Sequence, residues 1–119
     1  WELYRAAFGS SALADGLPTG VRLPMIPAGA PHNGHIFYLS FPDLAYRNRV
    51  LKQLRERGSG AVFHYIPLHS SPHFQDRYAG PELSHCQYHS DGILRLPLFD
   101  ALDEKTVEYI VRHLREALQ

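Results

Sequence analysis

Apolar residues recur along this chain at two spacings, one typical of helices and one typical of strands. Helical spacing predicts four helices, at about residues 2–9, 43–57, 82–90 and 103–118. Runs rich in aromatic and β-branched residues predict three buried strands, over residues 35–41, 61–65 and 93–99. Helices and strands therefore alternate, which favours a small α/β domain with a three-stranded sheet covered by helices. The pattern alone permits either a parallel or a mixed sheet.

Particular residues mark where these elements begin and end. Asp43 and Asp103 are expected to cap the second and fourth helices, and Gly58 is expected to end the second. Pro81 suits the first turn of the third helix, whereas Pro97 places the third strand at a sheet edge or ends it there. The inward positions expected of the two capped helices are Leu44, Val50, Leu51, Leu54, Val107, Ile110, Val111, Leu114, Ala117 and Leu118.

The segment between the first helix and the first strand has a different composition. Glycines and prolines recur from Gly16 to Pro31 and exclude a regular helix there. A short extended piece is predicted at about residues 21–26.

Composition limits the classes of function. The chain has 119 residues with 12 basic and 12 acidic side chains, so we expect no nucleic-acid partner. Basic residues of the second helix, from Arg47 to Arg57, are expected to form a solvated face. No apolar run is long enough for a membrane span, and a single cysteine fits a reducing cytoplasm. Because Trp1 stands inside a helical pattern, we expect the chain to be part of a longer protein.

Histidine is unusually frequent, which makes metal binding an alternative to consider. His85 and His89 stand four residues apart on a predicted helix, a spacing that zinc-binding helices use. However, no glutamate follows His85, and Cys86 is expected on a different helix face. We therefore expect no metal ligands, and a histidine-rich metal-binding module remains the alternative function.

Polar residues next to the predicted strands are the other candidates for a binding site. His64 and Tyr65 end a strand and His69 follows in a loop, although Tyr65 could instead pack while His64 bonds the main chain. Asn33 and His35 flank Gly34, which is also an ordinary turn sequence. Arg95 stands in an otherwise apolar strand. If its side chain faces inward, it needs an anionic partner, whereas if it faces outward, it is an ordinary polar position of an alternating strand.

Several kinds of catalytic motif are missing from the sequence. We find no glycine-rich phosphate loop and no nucleophile elbow. The two lysines, Lys52 and Lys105, lie in amphipathic helices with polar neighbours and do not fit a desolvated Schiff-base lysine. The chain by itself is therefore not expected to be a complete enzyme.

Three segments in order, Asn33–Tyr38, Ala61–His69 and Leu94–Phe99, resemble the DegT/DnrJ/StrS sugar aminotransferases. The resemblance implies the C-terminal small domain, residues 1–119, of a fold type I enzyme that uses pyridoxal 5′-phosphate (PLP). It also implies a homodimer that moves an amino group from L-glutamate to C4 of a 4-keto-6-deoxy sugar carried on dTDP. The lysine that binds PLP would precede Trp1, so no catalytic or cofactor-binding residue is expected in this chain.

The resemblance also implies which residues contact substrate. It favours His64 and Tyr65 as contacts to the sugar nucleotide, with His69, Asn33 and His35 as weaker candidates. Arg95 is expected to hold the pocket wall. A third interpretation is a chain that self-associates through an exposed former interface.

Overall fold

A computed structural model describes residues 1–9 and 17–119. The helices and strands of this part of the chain are α1 (Glu2–Phe8), β1 (Phe37–Ser40), α2 (Leu44–Glu56), β2 (Val62–Phe63), α3 (Ser84–Gly92), β3 (Ile93–Leu96) and α4 (Glu104–Leu118), with a short 3-10 turn at Leu68–Ser70. The predicted alternation of helices and strands is confirmed. Gly16, which begins the predicted irregular segment, lies outside the described residues.

The three strands form one antiparallel sheet in the order β1-β3-β2. Phe37 pairs with Leu96 and Val62 pairs with Arg95, so β3 runs opposite to both neighbours. Consequently β1 and β2 are parallel to each other and are joined through α2, with β3 inserted between them. The expectation of a parallel or mixed sheet was wrong, because this split β-α-β arrangement separates the two parallel strands.

One face of the sheet carries the core. Alternate strand residues Phe37, Leu39, Leu94 and Leu96 are buried together with the inward residues of α2 and α4. All six inward positions predicted for α4 are buried. The predicted caps of both long helices are also present, since Asp43 accepts a hydrogen bond from the Tyr46 N–H and Asp103 accepts one from the Thr106 N–H.

Helix α1 closes one end of this core. The fully buried Tyr4 ring stacks on Phe37 with 5.0 Å between ring centroids, and its hydroxyl donates to the Pro97 carbonyl at 2.9 Å. The predicted extended piece near residues 21–26 is a single antiparallel bridge between Arg22 and Ser40.

Three details of the predicted elements differ from the structure. Helix α3 begins at Ser84, so Pro81 lies before its first turn, and the Pro81 carbonyl accepts a hydrogen bond from the Tyr78 hydroxyl. Strand β3 ends at Leu96 and not at Phe99, so of the two alternatives predicted for Pro97 the end of the strand is confirmed, whereas β3 is the central strand and not an edge. Leu44 stands at the first position of α2 and is 43% exposed, while Arg47 occupies a buried position on that helix.

The basic residues of α2 are not the uniformly solvated face that the sequence predicts. Three guanidinium groups donate to main-chain carbonyls outside the helix: Arg47 to Asp91 at 2.9 Å, Arg49 to Ala117 at 3.1 Å, and Arg55 to Ala61 at 3.1 Å. Lys52 fits the prediction, with a largely exposed side chain 3.8 Å from Glu56, and Arg49 and Arg55 are exposed as well, so the main departure is the buried Arg47. The arginines therefore fasten α2 to its neighbours.

In the part of the chain that is described, no helix is both long enough and apolar enough to cross a lipid bilayer.

Candidate functional site

The sheet face opposite the core is only partly covered, and we call it the open face, defined by Tyr38, Val62 and Arg95. Arg95 of β3 pairs with Tyr38 on one side and with Val62 on the other, so the three side chains point the same way. Val62 is 39% exposed and the other two are half-buried. Strand β2 was predicted to be buried, but it is an edge strand and both of its residues are exposed.

His64 and Tyr65 continue the chain directly beyond β2. Strand alternation puts His64 on the same side as Val62 and therefore next to Arg95. The His64 and Tyr65 rings lie 4.8 Å apart, and the Arg95 guanidinium carbon is 6.0 Å from the centre of the Tyr65 ring. The structure thus brings together three of the residues predicted to bind substrate.

The alternative in which Tyr65 packs and His64 bonds the main chain does not hold. Tyr65 is 72% exposed, and its one hydrogen bond among the described residues is made by its carbonyl, which accepts from the Ser90 hydroxyl at 3.0 Å. The Nδ1 atom of His64 is buried and has no hydrogen-bond partner among the described residues. A buried polar atom without a partner is uncommon and marks a position where another group can bind.

The protonation state of His64 is set by its surroundings. Burial lowers the pKa of His64 below its ordinary value of 6.5, and the positive charge of Arg95 lowers it further. His64 is therefore a neutral imidazole at pH 7, with one ring nitrogen able to donate and the other able to accept a hydrogen bond.

A cleft of about 230 Å³ separates His64 from helix α3. Cys86 and His89 of α3 line it together with Tyr65. The prediction that Cys86 points away from His89 was therefore wrong. Residues three apart on a helix share a face as closely as residues four apart do, and in this helix the cleft-facing pair is Cys86 and His89 and not His85 and His89.

Asn33 and His35 lie in the turn that precedes β1. The Asn33 side chain accepts a hydrogen bond from the His35 N–H at 3.1 Å, which is the ordinary Asx-turn arrangement. Both residues also line a cavity of about 300 Å³ together with Trp1 and Tyr38. Tyr38 therefore lies between this cavity and Arg95, its partner on the neighbouring strand.

His69 lies apart from the other candidates, in the 3-10 turn. Its ring contacts Tyr78, with centroids 5.3 Å apart, and no contact joins it to His64 or Tyr65. In the described chain His64, Tyr65 and Arg95 thus form one group, Asn33 and His35 line a separate cavity next to Tyr38, and His69 lies outside both.

An exposed apolar surface extends from β2 toward α3. Its members are Val62, Phe63, Tyr65, Ile66, Leu68, Leu83 and Tyr88, each 39–72% exposed. Contiguous exposed apolar surface of this kind is typical of a face that another domain or subunit covers. The sequence analysis missed it because Val62, Phe63 and Tyr65 also fit a buried strand, and Leu83 and Tyr88 also fit a packed helix face.

Comparison with known proteins identifies the family. The DegT/DnrJ/EryC1/StrS aminotransferase family matches residues 3–115. The chain belongs to this family. Solved structures of similar fold include the aminotransferase TlmJ of Streptoalloteichus hindustanus, 24% identical with a TM-score of 0.80, matching 98% of this chain and 30% of that one.

Two further solved structures have the same fold. DesV of S. venezuelae, solved with a ketimine intermediate, is 26% identical with a TM-score of 0.77, and the match covers 100% of this chain and 32% of DesV. PseC of Helicobacter pylori, which takes part in pseudoaminic acid biosynthesis, is 15% identical with a TM-score of 0.80, over 98% and 30% of the two chains. The chain thus spans about 30% of the length of these aminotransferases.

Neither lysine of this chain lies where a Schiff base to PLP would be expected. A Schiff-base lysine needs a desolvated or otherwise activated amine. The Lys52 side chain is 77% exposed, and Lys105 is exposed at the start of α4. Among the described residues there is also no group of three His, Cys, Asp or Glu side chains that could hold a metal ion, so the geometry does not favour the metal-binding alternative.

Proposed function

We propose that this chain is the C-terminal small domain of a PLP-dependent sugar aminotransferase, and that its open face forms one wall of the substrate pocket. The observation that carries this proposal is the grouping of Arg95, His64 and Tyr65 on a partly uncovered sheet face of a chain that belongs to an aminotransferase family. Each of these side chains has unused binding capacity, which is what a pocket wall requires.

The exposed apolar surface beside β2 supports the same proposal. Its aromatic and aliphatic side chains would be covered by the larger domain of the same protein or by the second subunit of a homodimer. The PLP site then belongs to that other part, which agrees with the exposed positions of both lysines of this chain. The chain alone is accordingly proposed to be inactive.

The substrate is proposed from the three segments quoted above. They favour transfer of an amino group from L-glutamate to C4 of a dTDP-4-keto-6-deoxy sugar, the reaction of dTDP-4-keto-6-deoxyglucose transaminase. That activity belongs to the synthesis of surface polysaccharides such as enterobacterial common antigen or lipopolysaccharide, and it is cytoplasmic.

Each candidate residue has a proposed part in holding the sugar nucleotide. His64, neutral at pH 7, can donate to or accept from a sugar hydroxyl without adding charge. Tyr65 offers a largely exposed ring and hydroxyl for the same ligand. Asn33 and His35 border the second cavity, Arg95 holds the wall between the two, and His69 is the least supported contact because it lies apart.

The test uses the longer protein that contains this chain. In it, His64→Ala should raise the KM for dTDP-4-keto-6-deoxyglucose about three- to tenfold, the effect of losing one uncharged hydrogen bond. The PLP absorbance per subunit should stay unchanged, because His64 is not proposed to touch the cofactor.

His113→Ala is the matched control, since His113 is another half-buried histidine that lies on α4. The KM of the His113→Ala variant should equal that of the unmodified protein. Equal KM values for the two variants would remove His64 from the substrate site, and a protein without any transaminase activity toward a nucleotide sugar would overturn the proposal as a whole.

A further inference from the structure

Arg95 carries a positive charge for which the described residues supply no acidic partner. It lies half-buried in the middle of the central strand, between Tyr38 and Val62. In the described part of the chain its guanidinium makes no hydrogen bond or salt bridge, and it lies 6.0 Å from the centre of the Tyr65 ring. A partly desolvated guanidinium is stabilised by an anion, and its planar fork of N–H groups matches two oxygens of a carboxylate or phosphate.

The neighbouring His64 is also unsatisfied. Its Nδ1 atom has no hydrogen-bond partner, and its ring adjoins Tyr65 at 4.8 Å. The cleft beside His64 is lined on the α3 side by Cys86, His89 and Ser90, and among the described residues no acidic side chain lines it. Of the two groups, Arg95 is the one that an anion would stabilise, because His64 is a neutral imidazole.

A second group of the same three residue types shows that this lack of partners is not a general property of such clusters. Arg112 lies over the Tyr109 ring at 5.6 Å, and that ring contacts His113 at 4.1 Å. Here, however, His113 Nδ1 bonds the Tyr109 carbonyl at 2.9 Å. Arg112 also shares a groove with the acidic residues Glu104, Glu108 and Glu116. His113 on α4 is thus hydrogen-bonded, whereas Nδ1 of His64 is not. Arg112 has acidic side chains in its groove, although within the described residues it makes no hydrogen bond or ion pair, as is also true of Arg95.

We infer that Arg95, with Tyr65 and His64 beside it, binds an oxyanion of a small ligand, a carboxylate or a phosphate group. The guanidinium donates to two oxygens of the anion, the Tyr65 ring forms one side of the site, and His64 lies at its edge. The inference rests on the proposed function in taking the open face as the ligand-binding wall. It adds that the wall holds the charged part of a ligand, with Arg95 as a direct contact and not only a support.

The experiment uses the 119-residue chain and site-resolved NMR at pH 7. The arginine Nε–Hε and histidine ring signals are followed while inorganic phosphate, glutarate or sodium chloride is added at matched ionic strength. We expect the Arg95 and His64 signals to move with saturation in the phosphate or the glutarate arm. The arm with the tighter binding identifies the oxyanion as phosphate or carboxylate. The signals of Arg112 and His113 should not saturate.

Two variants make the assignment specific. Arg95→Gln should weaken the binding at least about tenfold, as expected for loss of charge-assisted hydrogen bonds, whereas Arg112→Gln should leave it unchanged. A dispersed amide spectrum would show that Arg95→Gln is folded. If it is not, the site-resolved shifts of the unmodified chain still decide whether Arg95 binds the anion. Shifts without saturation, equal shifts with chloride, or equal shifts at Arg112 would overturn the inference.

The outcomes for the two proposals can be told apart. Saturable binding at Arg95 in this chain, combined with no transaminase activity in the longer protein, would leave the oxyanion site in place and remove the proposed reaction. Transaminase activity in the longer protein, without anion binding at Arg95, would support the proposed reaction and remove the oxyanion site.

Discussion

The buried guanidinium of Arg47 provides the sharpest test of how α2 is held against the rest of the fold. Arg47 is 6% exposed, its Nε–H donates to the Asp91 carbonyl at 2.9 Å, and its guanidinium lies 5.4 Å from the centre of the Phe63 ring. Burial lowers the pKa of Arg47 from its ordinary value, while the Asp91 carboxylate acts in the opposite direction. The fold therefore places a cation where desolvation opposes it and compensates with specific contacts.

The cost of removing this side chain follows from those contacts. A hydrogen bond from a charged donor contributes about 1.5–3 kcal/mol, and a cation–π contact about 0.5–2 kcal/mol when desolvated. Truncation also relieves the desolvation of the charge, which offsets part of the sum. Arg47→Ala should therefore lower the free energy of unfolding by about 2–4 kcal/mol.

Arg49 offers a matched control on the same helix. Its guanidinium likewise donates to one main-chain carbonyl, that of Ala117 at 3.1 Å, and lies 4.8 Å from the centre of the Tyr46 ring. Arg49 is exposed, so both contacts compete with water, and Arg49→Ala should cost less than about 1 kcal/mol. Urea unfolding of both variants, with Arg47→Met to retain the aliphatic stem, measures the difference. Costs for Arg47→Ala and Arg49→Ala within about 0.5 kcal/mol of each other would refute the reasoning.

Two further predictions concern contacts at the ends of elements. Tyr4→Phe removes only the hydroxyl that donates to the Pro97 carbonyl, so it should cost about 1 kcal/mol in urea unfolding, and no change would show that this buried bond contributes nothing. Asp103→Ala removes the cap of α4 and should lower the Tm at pH 7. Hydrogen bonds from Thr106 lower the pKa of Asp103 below its ordinary value of 3.8, and the bond from the Thr106 side chain has the larger effect. The contribution of Asp103 to the stability of the fold is therefore complete above pH 3.8 and is lost as the pH falls through the lowered pKa. The difference in Tm between Asp103→Ala and the unmodified chain should therefore shrink in acid. Asp103→Asn should keep most of the cap without this pH dependence. A Tm difference for Asp103→Ala that does not vary with pH would contradict the role of Asp103 as a charged cap.

Helix α4 shows how far the sequence alone could predict the fold. Its apolar positions repeat at helical spacing from Val107 to Leu118, and all of them are buried. Helix α4 is stabilised by one apolar face that packs on the core, so the spacing of its apolar residues is enough to predict the helix and its buried positions. The sheet order could not be predicted in the same way, because strand pairing depends on residues far apart in the chain.

The candidate site was predicted less completely, for a related reason. The position of His64 and Tyr65 beyond a strand was visible in the sequence, but their exposure was not, since the same residues fit a buried strand. Tyr38 was missed although a signal existed: it stands between the buried Phe37 and Leu39, so alternation places it on the opposite face. The same reasoning applied to Arg95, between Leu94 and Leu96, would have placed it beside Tyr38.

Several departures from ordinary packing come together on the open face and beside it. Toward the core, two difficult groups, Tyr4 and Arg47, are hydrogen-bonded, although the buried Oγ of Ser59 has no partner among the described residues. Toward the open face, a cation lacks an acid, a buried imidazole nitrogen lacks a partner, and apolar side chains remain exposed. Because folded proteins rarely leave such groups unsatisfied without a functional reason, the open face is best explained as a surface completed by something else. The apolar part calls for a protein neighbour, and the charged part calls for an anion, which together describe the wall of a pocket formed between domains.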